Sequence, residues 1–131
     1  MFEFKLDNKK VNKGEFLVET DNKPITIERV GKLFDNKRFK RTQFILHVSC
    51  EEKEVESKIY ITPIVKDKED ELLYFGAKSF LHPLLSYALT GKIVQRGITL
   101  PYSTVKEGLE GDTFTLQYDF SGKYPIIKEV Q

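Results

Sequence analysis

Between Asp35 and Arg41 the chain reads Asp-Asn-Lys-Arg-Phe-Lys-Arg. Four cations, Lys37, Arg38, Lys40 and Arg41, surround one aromatic ring, Phe39. Cations neutralise phosphates, and flat apolar rings stack on bases, so these residue types together suit a single-stranded nucleic acid. The competing use of such a window is a solubilising charged turn. Lys92 and Arg96 form a second basic pair further along. If both stretches face the same side, the candidate nucleic-acid surface is Lys37, Arg38, Phe39, Lys40, Arg41, Lys92 and Arg96.

Other chemistries lack their motifs. The glycines at 91 and 97, or 108 and 111, have neither the phosphate-loop spacing nor the dinucleotide fingerprint. His47, Cys50 and His82 do not have zinc-ligand spacing. His47 and Cys50 lie three apart on an expected strand and so point to opposite faces. No Ser-His-Asp order is readable. The expectation is a non-catalytic protein without metal or cofactor. Cys50 then serves as a small, half-buried strand residue, and His82 as a partner of backbone or water. The charge run Lys66 to Glu71 reads as a solvated surface connector or the polar lead into a short helix.

The chain has 131 residues, the size of one domain with a core of its own, so residues 1–131 are expected to form a single domain. Lys plus Arg number 21 and Asp plus Glu 20, a net charge of +1. No whole-molecule field draws in a polyanion, and any nucleic-acid contact must come from a local patch. A lone cysteine excludes an internal disulfide and suits a reducing compartment. The N-terminus shows no secretory pattern, and no window nears ~20 apolar residues. A cytoplasmic protein with no membrane contact is the expectation.

The elements that must position the basic window are mostly strands. Phe2, Phe4 and Leu6 alternate with charges, as do Phe16 and Val18, and each set predicts a strand. Asp7 to Gly14 and Asp21 to Pro24 are turns. Ile25, Ile27 and Val30 continue the strand pattern with a less regular period. Thr42 to Cys50 predicts a long strand with Phe44, Leu46, Val48 and Cys50 on one face. After a charged turn over Glu51 to Glu56, Ser57 to Val65 is its hairpin partner, with Pro63 marking an edge or an end. Leu72 to Phe75 fits either a buried strand or a helical turn.

Ser79 to Gly91 predicts the one principal helix. Phe80, Leu84 and Tyr87 recur at helical spacing, as do Leu81, Leu85, Ala88 and Leu89, so nearly the whole circumference is apolar and must be wrapped. Ser79 is the expected N-cap, Pro83 falls in the first turn and Gly91 stops the helix. Lys92 to Leu100 predicts a strand ended by Pro101. Glu107 to Asp112 is a turn, Thr113 to Tyr118 a strand, Ser121 to Lys123 a turn, and Tyr124 to Ile127 a last short strand. Seven or eight strands and one helix make a β-rich α+β domain, with a mixed or mostly antiparallel sheet curled into a pseudobarrel.

The run from Gly76 to Tyr118 resembles the core of a PUA domain, a small RNA-binding pseudobarrel. The matching parts are the apolar helix Phe80 to Leu89, Gly91-Lys92, the strand Ile93 to Ile98, and the Gly111-Asp112 turn into Thr113 to Tyr118. A glycine-rich entry to the helix is missing, and the N-terminal strands are longer than a minimal PUA domain needs. The size also resembles the small PUA-fold regulators of conjugative plasmids, the PrgU type. The resemblance implies RNA as partner, regulation of gene expression without catalysis, and Lys92 and Arg96 at the RNA surface. Two rivals are an OB-like barrel for single-stranded DNA and a protein-interaction or inhibitor module using the edge near Pro63. The first is disfavoured by the strand count before the helix, since an OB barrel places its helix after the third strand.

Overall fold

The computed structural model describes residues 16–50, 53–122 and 125–131. The strand expected at Phe2 to Leu6, the turn after it, and Lys123 and Tyr124 lie outside that set.

The long hairpin forms as its pattern dictates. β3 (Arg41–Cys50) buries Phe44, Leu46, Val48 and Cys50 and turns the intervening residues outward. β4 (Lys53–Ile61) pairs with it antiparallel, matching Phe44 to Ile61 and Leu46 to Ile59. On the other edge of β3 lie β1 (Pro24–Val30) and β2 (Phe34–Asn36), both antiparallel to it. The uneven period of Ile25, Ile27 and Val30 has a cause: the β1–β3 register shifts between Ile27 and Arg29. One extra residue flips the alternation. Gly31 then passes so close to β3 that a Cβ would stand 3.1 Å from the Ile45 carbonyl. β1 continues to β8 (Thr113–Asp119) and β8 to β9 (Ile126–Val130). A second antiparallel sheet holds β5 (Ile64–Asp67), β6 (Leu72–Phe75) and β7 (Ile98–Pro101) in that order. Leu73 and Phe75 of β6 are buried, which decides the short apolar run in favour of a strand.

The principal helix is α1 (His82–Thr90). It starts later than Ser79. The Ser79 hydroxyl and amide both bond to the Gly76 carbonyl, at 2.7 and 2.9 Å, closing a separate turn, and Leu81 is the cap residue. Gly91 ends the helix at φ 79°, where its amide bonds the Tyr87 carbonyl at 2.8 Å. Burial is confined to residues 82–86; Leu89 is 45% exposed, so the last turn is not wrapped.

Several expectations need correction. A second helix, α2 (Tyr102–Leu109), follows β7. It buries Tyr102, Val105 and Leu109, spaced three and four apart, and takes in the first half of the stretch expected as a turn. Residues 16–19 are helical and not extended. Phe16 and Leu17 are both buried while Val18 is 62% exposed, and a strand cannot bury two successive side chains on one face. The expected strand at Lys92 to Leu100 exists only from Ile98, because the chain over 91–97 follows a path fixed by side-chain bonds. The Ser86 and Thr90 hydroxyls take the Lys92 carbonyl, and the Val94 amide donates to Ser86 Oγ. β4 begins within the expected charged turn and ends at Ile61, where Pro63 separates it from β5.

The core is one cluster that joins the large sheet, β6 of the small sheet, α1, α2 and the helical residues Phe16 and Leu17. α2 is pinned by Tyr102, whose hydroxyl donates to the Gly31 carbonyl and whose ring meets Phe44 edge-on at 5.9 Å. Glu110 Oε2 accepts from the Val30 amide at 2.9 Å, satisfying the backbone where β1 breaks from β2. The result is β-rich α+β, mostly antiparallel. Among the described residues the large sheet does not close into a barrel: β2, β4 and β9 each pair with one strand alone. No described helix is long and apolar enough to cross a membrane.

Candidate nucleic-acid interface

The basic window is the turn of the β2–β3 hairpin. Phe34, Asp35 and Asn36 pair with Gln43, Thr42 and Arg41, leaving residues 37–40 to cross over. Asn36 shapes the crossing. Its Oδ1 accepts from the Arg38 and Phe39 amides at 3.1 and 3.4 Å, an Asx turn. Its Nδ2 donates to Gln43 Oε1 at 2.8 Å, and Gln43 Nε2 donates to Thr62 Oγ1 at 2.9 Å. Lys40 closes the turn at φ 53°, a left-handed backbone that costs a lysine free energy. The turn is therefore built, not merely solvated.

Asp35 anchors its base. Thr42 Oγ1 donates to one carboxylate oxygen at 3.0 Å, and Lys68 Nζ reaches the other at 3.4 Å. The Thr42 hydrogen bond, then Lys68, hold the Asp35 carboxyl below its ordinary range.

On this frame Phe39 is 58% exposed, with the Arg38 guanidinium carbon 5.4 Å from its ring centre. Lys37, Arg38 and Phe39 form one wall of an open concavity of about 700 Å³; Phe34, Ile45 and Tyr60 form its other side. Lys40 and Arg41 are exposed beside it but do not line it. Lys92 and Arg96 are exposed in the irregular segment after α1 and line none of the described concavities. Their carbonyls are fixed, that of Arg96 by His82 Nε2. His82 is fully buried and bonded to backbone, as expected.

Tyr60 and Phe34 enter the site without having been singled out by sequence. Tyr60 alternates with buried Ile59 and Ile61, which already set it on the outward face. Its position opposite Ile45, beside the basic turn, needed the register.

A second polar cluster sits elsewhere on that face. Arg29 donates to Glu56 Oε1 at 3.2 Å, and His47 Nδ1 lies 3.1 Å from the same oxygen. Burial opposes ionisation of Glu56, but the bonds from Arg29 and His47 outweigh it and lower its pKa. Cys50 is buried on the opposite face of the strand from His47. Among the described residues no group of three or more His, Cys, Asp or Glu converges to hold a metal.

Compared with known proteins, the chain matches no family model and has no significant match to a curated protein or a solved structure. The resemblance to PUA domains rests on its residues alone.

Proposed function

We propose that the protein is a non-catalytic, cytoplasmic binder of single-stranded nucleic acid, RNA before DNA, that regulates gene expression. The observation that carries this reading is the Asx-shaped turn at 37–40. It holds an Arg38–Phe39 pair out to solvent beside an open concavity with aromatic walls. A rigid platform of rings and cations is what stacking on unpaired bases requires. The preference for RNA, and a role like that of PrgU-type plasmid regulators, rest on the resemblance of the sequence to PUA domains; of its parts the helix, Gly91-Lys92 and the strand from Thr113 are formed, while residues 93–97 are irregular and α2 precedes Thr113.

Six cations at most, Lys37, Arg38, Lys40, Arg41, Lys92 and Arg96, would meet phosphates. At ~0.7 per contact, log K against log salt should fall no more steeply than about −4. Fluorescence anisotropy with labelled RNA and DNA oligonucleotides at low salt is the test. Charge reversal of Arg38 and Arg41 should abolish binding with little change in melting temperature, since both are exposed.

One observation favours a second reading. Phe34, Phe39 and Ile64 are large apolar residues left exposed on adjoining concavities, as at a protein-docking surface. If the wild type binds neither oligonucleotide tighter than ~100 μM, near the limit of non-specific binding, that reading takes precedence.

A further inference from the structure

The concavity beside the hairpin turn does not end at Tyr60. The same tyrosine lines a second cleft, of about 340 Å³, between the end of β4 and the segment that leads to α1. Buried Ile61, Phe75 and Leu81 form its floor, while Ile64, Tyr74 and Phe80 stand along it. Tyr74 is half-buried and faces outward, because its neighbours Leu73 and Phe75 face the core. Lys66 Nζ lies 5.3 Å from the centre of the Tyr74 ring. The far end of that ring lies against Gly97, which follows Arg96.

We propose that Tyr60 and Tyr74 extend the hairpin platform into a track for single-stranded nucleic acid. Successive bases stack at Phe39, Tyr60 and Tyr74, and the cations at Arg38, Lys66 and Arg96 follow the phosphates. This rests on the nucleic-acid reading and adds the site's length, direction and further residues. It also joins the two basic stretches, which share no concavity, by way of rings that lie between them.

The charges select this path. A third concavity adjoins the first at Phe34 and Asp35, but its other lining includes Glu71. Its one cation, Lys68, is engaged by Asp35. That leaves the Glu71 carboxylate facing any phosphate there, whereas Asp35 is common to both concavities. The cleft holding Tyr74 has no acidic side chain in its lining and has Lys66 at its rim. Tyr60 to Ile64 is four residues of chain, and Ile64 pairs directly with Tyr74. The two Cα atoms are thus at most about 20 Å apart, a span of a few nucleotides.

The test compares oligouridine RNAs of roughly 2 and 8 nucleotides, lengths below and within the usual range of single-strand sites. In the wild type the longer should bind at least tenfold tighter. Tyr74→Ala should weaken binding of the longer RNA by roughly 5- to 100-fold and leave the shorter nearly unchanged, whereas Tyr60→Ala, whose ring also lines the hairpin concavity, should weaken both. Tyr74→Phe should keep wild-type affinity, which separates loss of a stacking ring from loss of fold. Photo-crosslinking of a halogenated oligouridine to the wild type needs no variant, and should label Tyr60 or Tyr74 as well as Phe39. The track is overturned if both alanine variants bind the longer RNA as the wild type does, or if crosslinks are confined to residues 37–41. In those cases the hairpin reading survives through its own Arg38 and Arg41 variants. If the wild type binds neither RNA, the nucleic-acid reading fails and the track with it.

Discussion

Gly97 lies against the ring of Tyr74 so closely that no Cβ fits at position 97. The glycine is there for space, since positive φ angles are found only at Gly91 and Gly111 among the described glycines. Gly97→Ala must push the tyrosine aside. The atoms in the way are the end of a half-buried side chain, so the stability cost should be about 1 kcal/mol. Lys66 and Tyr74 would separate, and affinity for the longer RNA should fall nearly as far as in Tyr74→Ala. Urea unfolding and anisotropy on the same preparation measure both effects.

His82 ties the start of α1 to the segment carrying Arg96. A carbonyl only accepts, so Nε2 carries the proton toward Arg96, and Nδ1 is left buried without a hydrogen-bond partner. A lone pair in that position is a smaller loss than an orphaned N–H would be. His82→Ala removes a fully buried ring and strands the Arg96 carbonyl. The expected cost is about 2 to 4 kcal/mol, measured by chemical denaturation.

Helix α1 should show a sharp gradient along its length. Leu84 and Leu85 are each about 1% exposed, so truncating either to alanine should cost about 2 to 5 kcal/mol. Leu89, two turns from the start and largely in solvent, should cost less than about 1 kcal/mol on the same change. Equal costs at all three positions, read from urea midpoints, would contradict the placement of the helix.

The same helix shows what the sequence could reveal. Its apolar spacing and its glycine stop were legible, because both are local. Its cap was not: Ser79 satisfies the Gly76 carbonyl, a choice set by how β6 delivers the chain. The strand faces of β3 and β8 were legible because strict alternation admits one solution. α2 was missed since its apolar residues, Tyr102, Val105 and Leu109, are sparse and the glycine at 108 reads as a turn. Of the site, Lys37, Arg38 and Phe39 were legible as residue types. Tyr60 and Tyr74 were not, because an outward tyrosine acquires meaning only from the strands that register beside it.

Alkaline stability should hinge on Tyr118. Its hydroxyl is buried beside Thr20 Oγ1 at 3.4 Å, and burial pushes its pKa up to about 12 from the usual 10. The folded protein therefore keeps a proton that the unfolded chain has lost between pH 10 and 12. Stability is fully present below pH 10 and falls as pH rises through that window, by about 2 to 3 kcal/mol. Tyr118→Phe cannot ionise and should move the alkaline unfolding midpoint upward. Tyr102, whose pKa is also raised by burial, should leave a smaller residual slope.

Phe39 offers the sharpest separation of function from fold. Its ring is mostly in solvent with the Arg38 guanidinium over it, so Phe39→Ala should change unfolding free energy by less than about 1 kcal/mol. A stacked base would lose about 1 to 3 kcal/mol of binding on the same change. Phe39→Trp keeps a flat face and should bind at least as tightly as the wild type, whereas Phe39→Leu keeps apolar area without a π surface and should behave like alanine. A leucine variant that binds RNA like the wild type would mean that Phe39 acts as an apolar contact. The exposed Phe34, Phe39 and Ile64 would then belong to a protein-docking face. Anisotropy titrations of the three variants at one salt concentration, with thermal melts as the folding control, decide between these roles.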